Sequence, residues 1–241
     1  KSQLIVLPAI VAFRIVFQSV FRKITKSNSN SKKITESYYF FSQYLMLSVF
    51  AFYIAIKQQF LMSDAIYNDL LNLNIAFYQK LYISLQLGVY LSASLFLFSE
   101  TRSCNKDFIL MIAHHVATLL IISLCTQQNL INYIIAGAAI HDVSDVILEL
   151  SKLIYYYGHK QLSNVTWFLF TITFISTRLY VVPKYFVLPW FSGNFQKQPF
   201  ARWFTIVLPG LLCCLTAMQA IWSFFIVKVC LNIKNNVKAG E

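Results

Sequence analysis

An all-α, polytopic transmembrane bundle of about seven spans is the fold class this sequence predicts, and three observations predict it. Of 241 residues, 58% are hydrophobic and 12% are charged, a balance that soluble globular domains do not show. The apolar residues gather into seven stretches, each near the ~20 residues that cross a bilayer as a helix. Basic residues collect in the polar segments between them, so the net charge of +11 reads as a topology signal and not as a nucleic-acid surface.

The stretches run over 4–21, 38–60, 78–99, 108–126, 130–155, 164–188 and 203–230. In the first, the basic residues follow the apolar run and no small-residue cleavage site appears, so it reads as a transmembrane helix and not a signal peptide. Arg14 inside it either snorkels to an interface or faces other helices. A polar loop over 22–37 separates it from the second stretch and carries Arg22, Lys23, Lys26, Lys32 and Lys33. With that loop in the cytosol, Arg102, Lys106, Lys160, Lys228, Lys234 and Lys238 fall on the same side. Lys1, Lys57, Lys80, Lys184, Lys197 and Arg202 fall opposite. The bias predicts an outside (lumenal) N-terminus and a cytosolic C-terminus. Five cysteines, mostly in apolar segments and without a CxxC pair, argue against a disulfide framework or a cysteine zinc site. Cys213-Cys214 reads as a pair of small packing residues.

The fourth and fifth stretches carry the chemistry. His114 and His115 lie about 10 Å into the fourth span and Asp145 about 15 Å from the end of the fifth. On antiparallel neighbours these depths are similar, so the groups can meet in one cavity. On a helical wheel His141, Asp142, Asp145, Glu149 and Lys152 share an arc of roughly 100°. An ionised group at bilayer depth costs roughly 2.5–3.5 kcal/mol even on lenient scales, so such a stripe faces the bundle interior. Glu149 and Lys152 fit either an ion pair or a substrate contact. Arg178, deep in the sixth span, either pairs with an acid or holds an anionic group. Metal chemistry is the rival: His114, His115, His141 and Asp145 are ligand types, but adjacent histidines lack the i, i+4 spacing that puts two on one helix face. No metal is therefore assigned.

The stretch Lys106-Asp107-Phe108 … His114-His115 … Thr118, with His141-Asp142-Val143-Ser144-Asp145 … Leu148-Glu149 … Lys152, resembles the Lag motif of the ceramide synthases, within the wider TLC-domain proteins. Lys32–Ser37, Gln86–Ser92, Phe174–Leu179 and Trp222–Lys228 resemble further segments of that family. The resemblance implies one N-terminal helix and basic loop over 1–33, a six-helix TLC domain over 34–232 and a short cytosolic tail over 233–241. It implies transfer of a fatty acyl group from acyl-CoA to the amine of a sphingoid base, in the endoplasmic reticulum membrane, with acyl-CoA a substrate and no cofactor. Membrane lipids are further partners, and a homodimer or a complex with a small single-pass subunit is implied as well. His114, His115, Asp142 and Asp145 would be the catalytic set. His141, Glu149, Lys152, Arg178, Arg102 and Lys106 would contact substrate. Chain-length selection would be sought first in 184–202.

Two routes fit an amine attacking a thioester. A histidine acts as general base, oriented by an aspartate, or His114 acts as nucleophile and forms an acyl-imidazole that the amine resolves. The second is favoured because the central acyl-chain tunnel that the resemblance also implies would exclude water. The competing functions are a non-catalytic lipid sensor or translocon-associated factor, and a proton-coupled lipid transporter.

Overall fold

The computed structural model describes residues 2–26, 28–60, 75–192, 195 and 200–239. Among these residues every regular element is helical. The helices are α1 (Ser2–Ile24), α2 (Ser31–Lys57), α3 (Phe77–Phe96), α4 (Phe108–Gln127), α5 (Ile131–Tyr156), α6 (Lys160–Phe191) and α7 (Phe204–Ala239). Five of them, all but α1 and α3, are long and apolar enough by composition to cross a membrane. Helix α3 carries Gln79, Gln86 and Ser92, which dilute its apolarity but are buried inside the bundle. Phe13, Val16, Ile109, Val116, Ile172, Ile206 and Phe224 are all at least half exposed. An apolar exterior of this kind belongs to a protein solvated by lipid.

Helix α2 begins at Ser31, seven residues before the expected apolar start at 38, so the first polar loop is far shorter than the sequence implied. The reason is that Ile34, Thr35, Glu36 and Ser37 are buried. Glu36 accepts hydrogen bonds from the backbone N–H of Thr101 (3.1 and 3.3 Å) and from its hydroxyl. Cys213 and Cys214, expected to pack, are both exposed on α7. Adjacent helical residues diverge by about 100°, and here both directions leave the core. Lys1 and Lys197, assigned to the outer side from the sequence, fall outside the described residues.

Short turns set the order of the bundle. Helix α4 ends with Leu130 N–H donating to Cys125 O (2.9 Å) and Asn129 N–H to Thr126 O (3.2 Å). Helix α5 ends likewise, with His159 bonded to Ile154 and Gly158 to Tyr155. These are the paired bonds of a Schellman cap. Asn129 takes φ 59° and Gly158 φ 89°, a region glycine enters without steric cost. Consecutive helices are thereby turned antiparallel within three residues. At the α5–α6 turn Ser151 and Ser163 each donate to the other's carbonyl, at 3.1 and 3.0 Å.

Helix α5 is central, flanked most closely by α2 and α6. The dense apolar core gathers at one end of the bundle, from Leu47, Ala51 and Ile54 of α2, Tyr82 and Ile83 of α3, Ile131–Ala136 of α5, and Phe204 and Leu208 of α7. Helix α1 lies outside, against α3. A Cβ at Gly88 would come within 2.7 Å of Ile10 Cδ1 and 3.1 Å of Val6 Cγ1, so the absent side chain is what permits that approach. Arg14 faces helices and not the interface. It is 1% exposed, ion-paired with Glu100, and flanked by the rings of Phe96 (4.4 Å), Tyr39 (4.9 Å) and Phe40 (5.4 Å).

Glu100→Leu leaves Arg14 as an uncompensated buried charge, and we expect a loss of about 3–5 kcal/mol. Replacing both residues by Leu should cost less than either single change. Thermal unfolding of the detergent-solubilised variants measures both.

Candidate active site

Five helices converge on a narrow, largely apolar slot. It is lined by Gln86 and Tyr90 of α3, His114 and Thr118 of α4, Gly137 and His141 of α5, Val182 and Phe186 of α6, and Leu212 and Leu215 of α7. Its volume is about 70 Å³, against the ~300–1,000 Å³ of typical ligand sites. A long fatty chain enters only when the lining side chains move apart. Four buried polar atoms on the lining residues have no hydrogen-bond partner among the described residues: His114 Nδ1, Thr118 Oγ1, His141 Nε2 and Gln86 Oε1. Each such atom costs about 1–3 kcal/mol unless a ligand or solvent satisfies it. All four belong to residues that line the slot, which marks it as a place for a polar group.

The adjacent histidines diverge, as their positions on a helix require. His114 lines the slot, and the indole of Trp222 meets its ring edge-on at 5.3 Å between centroids. That indole also donates to Asp107 Oδ2 at 2.8 Å, tying α7 to the start of α4. His115 turns toward α3, with Nδ1 3.4 Å from Ser94 Oγ and its ring 5.9 Å from that of Tyr90. His141 completes the slot wall. Its Nδ1 is 2.7 Å from Gly137 O. A carbonyl oxygen only accepts, so Nδ1 carries the proton and Nε2 carries the lone pair.

The two aspartates have different partners. Asp142 is 1% exposed, and its Oδ2 accepts from Gln86 Nε2 at 3.3 Å. Asp145 Oδ1 is 2.6 Å from Arg178 Nη2. Arg178 also donates to Ser144 Oγ (2.9 and 3.2 Å), to Gln219 Oε1 (3.2 Å) and to His141 O (3.1 Å), and stacks 4.5 Å above the ring of Phe174. One guanidinium thus joins α5, α6 and α7. It lies in a π-helical segment, Ser176–Val181, followed by a second over Pro183–Val187. The wider turn accommodates Pro183, which supplies no N–H for the helix ladder.

Farther along α5 lies a larger polar vestibule of about 600 Å³. Lys32, Lys33 and Glu36 of α2, Glu100 and Asn105 of the α3–α4 connection, and Glu149 and Lys152 of α5 line it. Lys152 Nζ is 2.8 Å from Glu149 Oε1. Lys106 and Lys160 are exposed, and the side chain of Arg102 lies outside the described residues. Slot and vestibule follow one another along α5, His141 in the first and Glu149 about 12 Å farther along the helix in the second. At the opposite end the slot is closed by aromatics. Tyr133 OH donates to Phe186 O and accepts from Trp190 Nε1 at 3.1 Å, and Phe195 stacks on Trp190 at 4.0 Å.

No group of three or more His, Cys, Asp or Glu is placed to hold a metal among the described residues. Sequence reasoning missed Gln86, Gln219 and Trp222 as parts of the site. The available signal was an amide inside an apolar span, twice, and an indole one helical turn from one of those amides.

Residues 33–228 match the TLC domain. The chain belongs to the TLC-domain family. It is similar to human ceramide synthase 5, at 30% identity over 62% of this chain and 38% of that protein. Human ceramide synthase 3 is 28% identical over 86% of this chain and 54% of its own length. Ceramide synthase LOH2 of Arabidopsis thaliana is 33% identical over 45% of this chain and 36% of its own. The chain therefore spans about 36–54% of the length of these relatives. These three relatives are ceramide synthases, and the apolar helices of this chain make it a multi-pass membrane protein.

Arg178→Leu removes the guanidinium from Asp145, Ser144 and Gln219 together. We expect about 3–5 kcal/mol of destabilisation, and Arg178→Lys should recover only part of it, since an ammonium cannot span three helices as the planar fork does. Chemical unfolding in detergent distinguishes the two.

Proposed function

We propose that this chain is an acyl-CoA-dependent N-acyltransferase acting on a sphingoid base, a ceramide synthase. The observation that carries the proposal is His114 Nδ1, a buried ring nitrogen without a partner among the described residues, on a residue that lines an apolar slot next to a polar, lysine-bearing vestibule. Lys32 and Lys33 give that vestibule positive potential suited to the phosphates of CoA. The slot takes the acyl chain. In this reading the vestibule faces the cytosol, the N-terminus is lumenal, the C-terminus is cytosolic, and the membrane is that of the endoplasmic reticulum. The TLC domain takes 34–232, and the working unit is a homodimer or a complex with a small single-pass subunit.

The chemistry runs as two transfers. His114 Nδ1 attacks the thioester carbonyl, the C–S bond breaks, and the CoA thiolate leaves with the proton that the acyl-imidazolium gives up. The sphingoid amine then attacks the acyl-imidazole, the C–N bond to the ring breaks, and the amide leaves as His114 regains a proton. Water exclusion by the apolar walls favours aminolysis over hydrolysis. Asp142 and Asp145 act through their partners, holding Gln86 and Arg178 in place. His115 orients the start of α4 against α3.

Purified protein mixed with sphinganine and a panel of acyl-CoAs should yield N-acyl product by mass spectrometry. His114→Ala should lower turnover by at least about 100-fold, and wild-type protein given acyl-CoA alone should gain the mass of one acyl group. Absence of product at every chain length, together with lipid or proton flux in proteoliposomes, would establish the transporter instead.

The aromatic closure at Tyr133, Phe186 and Trp190 limits the depth of the slot. Phe186→Ala should shift the preferred acyl-CoA to longer chains, read as the product distribution under competition between chain lengths.

A further inference from the structure

The slot holds two hydrogen-bond acceptors that acyl transfer to His114 leaves unused. His141 Nε2 carries a lone pair, because the bond from Nδ1 to Gly137 O fixes the tautomer. Gln86 Oε1 is the other. Its amide is fixed by donation from Nε2 to Asp142 Oδ2 at 3.3 Å, which directs the carbonyl oxygen away from the carboxylate. Neither acceptor has a partner among the described residues, and both residues line the slot with His114. The other ionisable groups nearby have partners of their own: His115 faces Ser94 and Tyr90, Asp142 holds Gln86, and Asp145 holds Arg178.

A sphingoid base arrives as an ammonium, with three N–H donors and no lone pair. It becomes a nucleophile only after losing a proton. Resting on the acyltransferase reading above, the geometry points to Gln86 and His141 as the receiving pair for this ammonium, Gln86 Oε1 accepting one N–H and His141 Nε2 removing a proton from the nitrogen. Two protons leave the nitrogen in all. One passes to His141 before attack and then to solvent through the vestibule. The second passes to the departing His114 ring as the amide forms. His141 is then a catalytic residue of the amine half of the reaction, and Gln86 positions the nitrogen.

The test compares two acceptors of equal chain length with the same acyl-CoA: sphinganine, protonated at neutral pH, and a long-chain O-alkylhydroxylamine, already unprotonated. His141→Gln should slow transfer to sphinganine by about 100-fold or more, the usual worth of a general base. Transfer to the hydroxylamine should stay within a few-fold of wild type, which also reports that the variant is folded. Gln86→Leu should raise KM for sphinganine more than KM for the hydroxylamine, whose uncharged N–H is the weaker donor to the amide oxygen. Equal losses on both acceptors, or no loss on sphinganine, overturn the assignment. Wild-type protein that acylates neither amine overturns the acyltransferase reading itself, and this inference with it.

Discussion

A single guanidinium at membrane depth governs how the site is assembled. Arg178 is 4% exposed and reaches Asp145, Ser144, Gln219 and the His141 carbonyl from one position. Several kcal/mol would be needed to hold that charge in a low-dielectric interior without partners. The bonds it makes therefore dictate the relative placement of α5, α6 and α7. The His141 carbonyl is one of its acceptors, so the same clasp constrains the turn of α5 that carries the slot-facing ring. The π-helical segments of α6 are part of the arrangement: the first carries the buried Arg178, the second carries Phe186, and Val182 between them lines the slot with Phe186.

The interior divides along α5. One end is dry and aromatic, closed by Tyr133, Phe186, Trp190 and Phe195. The middle has polar atoms set singly into apolar walls. The other end is a vestibule of lysines and carboxylates, in which Glu36, Glu100 and Glu149 are each bound to a protein group and Lys32 and Lys33 remain exposed. A ligand with a charged head, a reactive carbonyl and an apolar tail matches that order of environments. The same gradient separates the two jobs of the site, since charge is useful at the mouth and water is harmful where an acyl-imidazole would form.

Hydropathy made the fold legible, because each long apolar stretch became a helix. The start of α2 was not legible, since its inward-facing residues, Thr35, Glu36 and Ser37, are polar and the partner of Glu36, Thr101, lies 65 residues away. Intramembrane polarity pointed to the right two helices, and His114 and His141 do line one slot. What the spacing could not show was divergence within the clusters: His115 turns from the slot, and Asp145 is engaged by Arg178. Gln86 was not read as part of the site because one amide in a span looks like any interhelical hydrogen bond, and its meaning comes from Asp142, 56 residues on. The π-helical stretch of α6 had only Pro183 as a signal.

The central claim is that an acyl chain lies inside the bundle with its carbonyl at His114. A structure of the protein bound to a non-hydrolysable thioether analogue of acyl-CoA tests this most directly. The account predicts the nucleotide end in the vestibule near Lys32 and Lys33, the carbonyl-equivalent carbon against His114 Nδ1, and the chain between α3 and α7 ending beneath Phe186. An analogue bound on the lipid-facing surface, with the slot still closed, would contradict it.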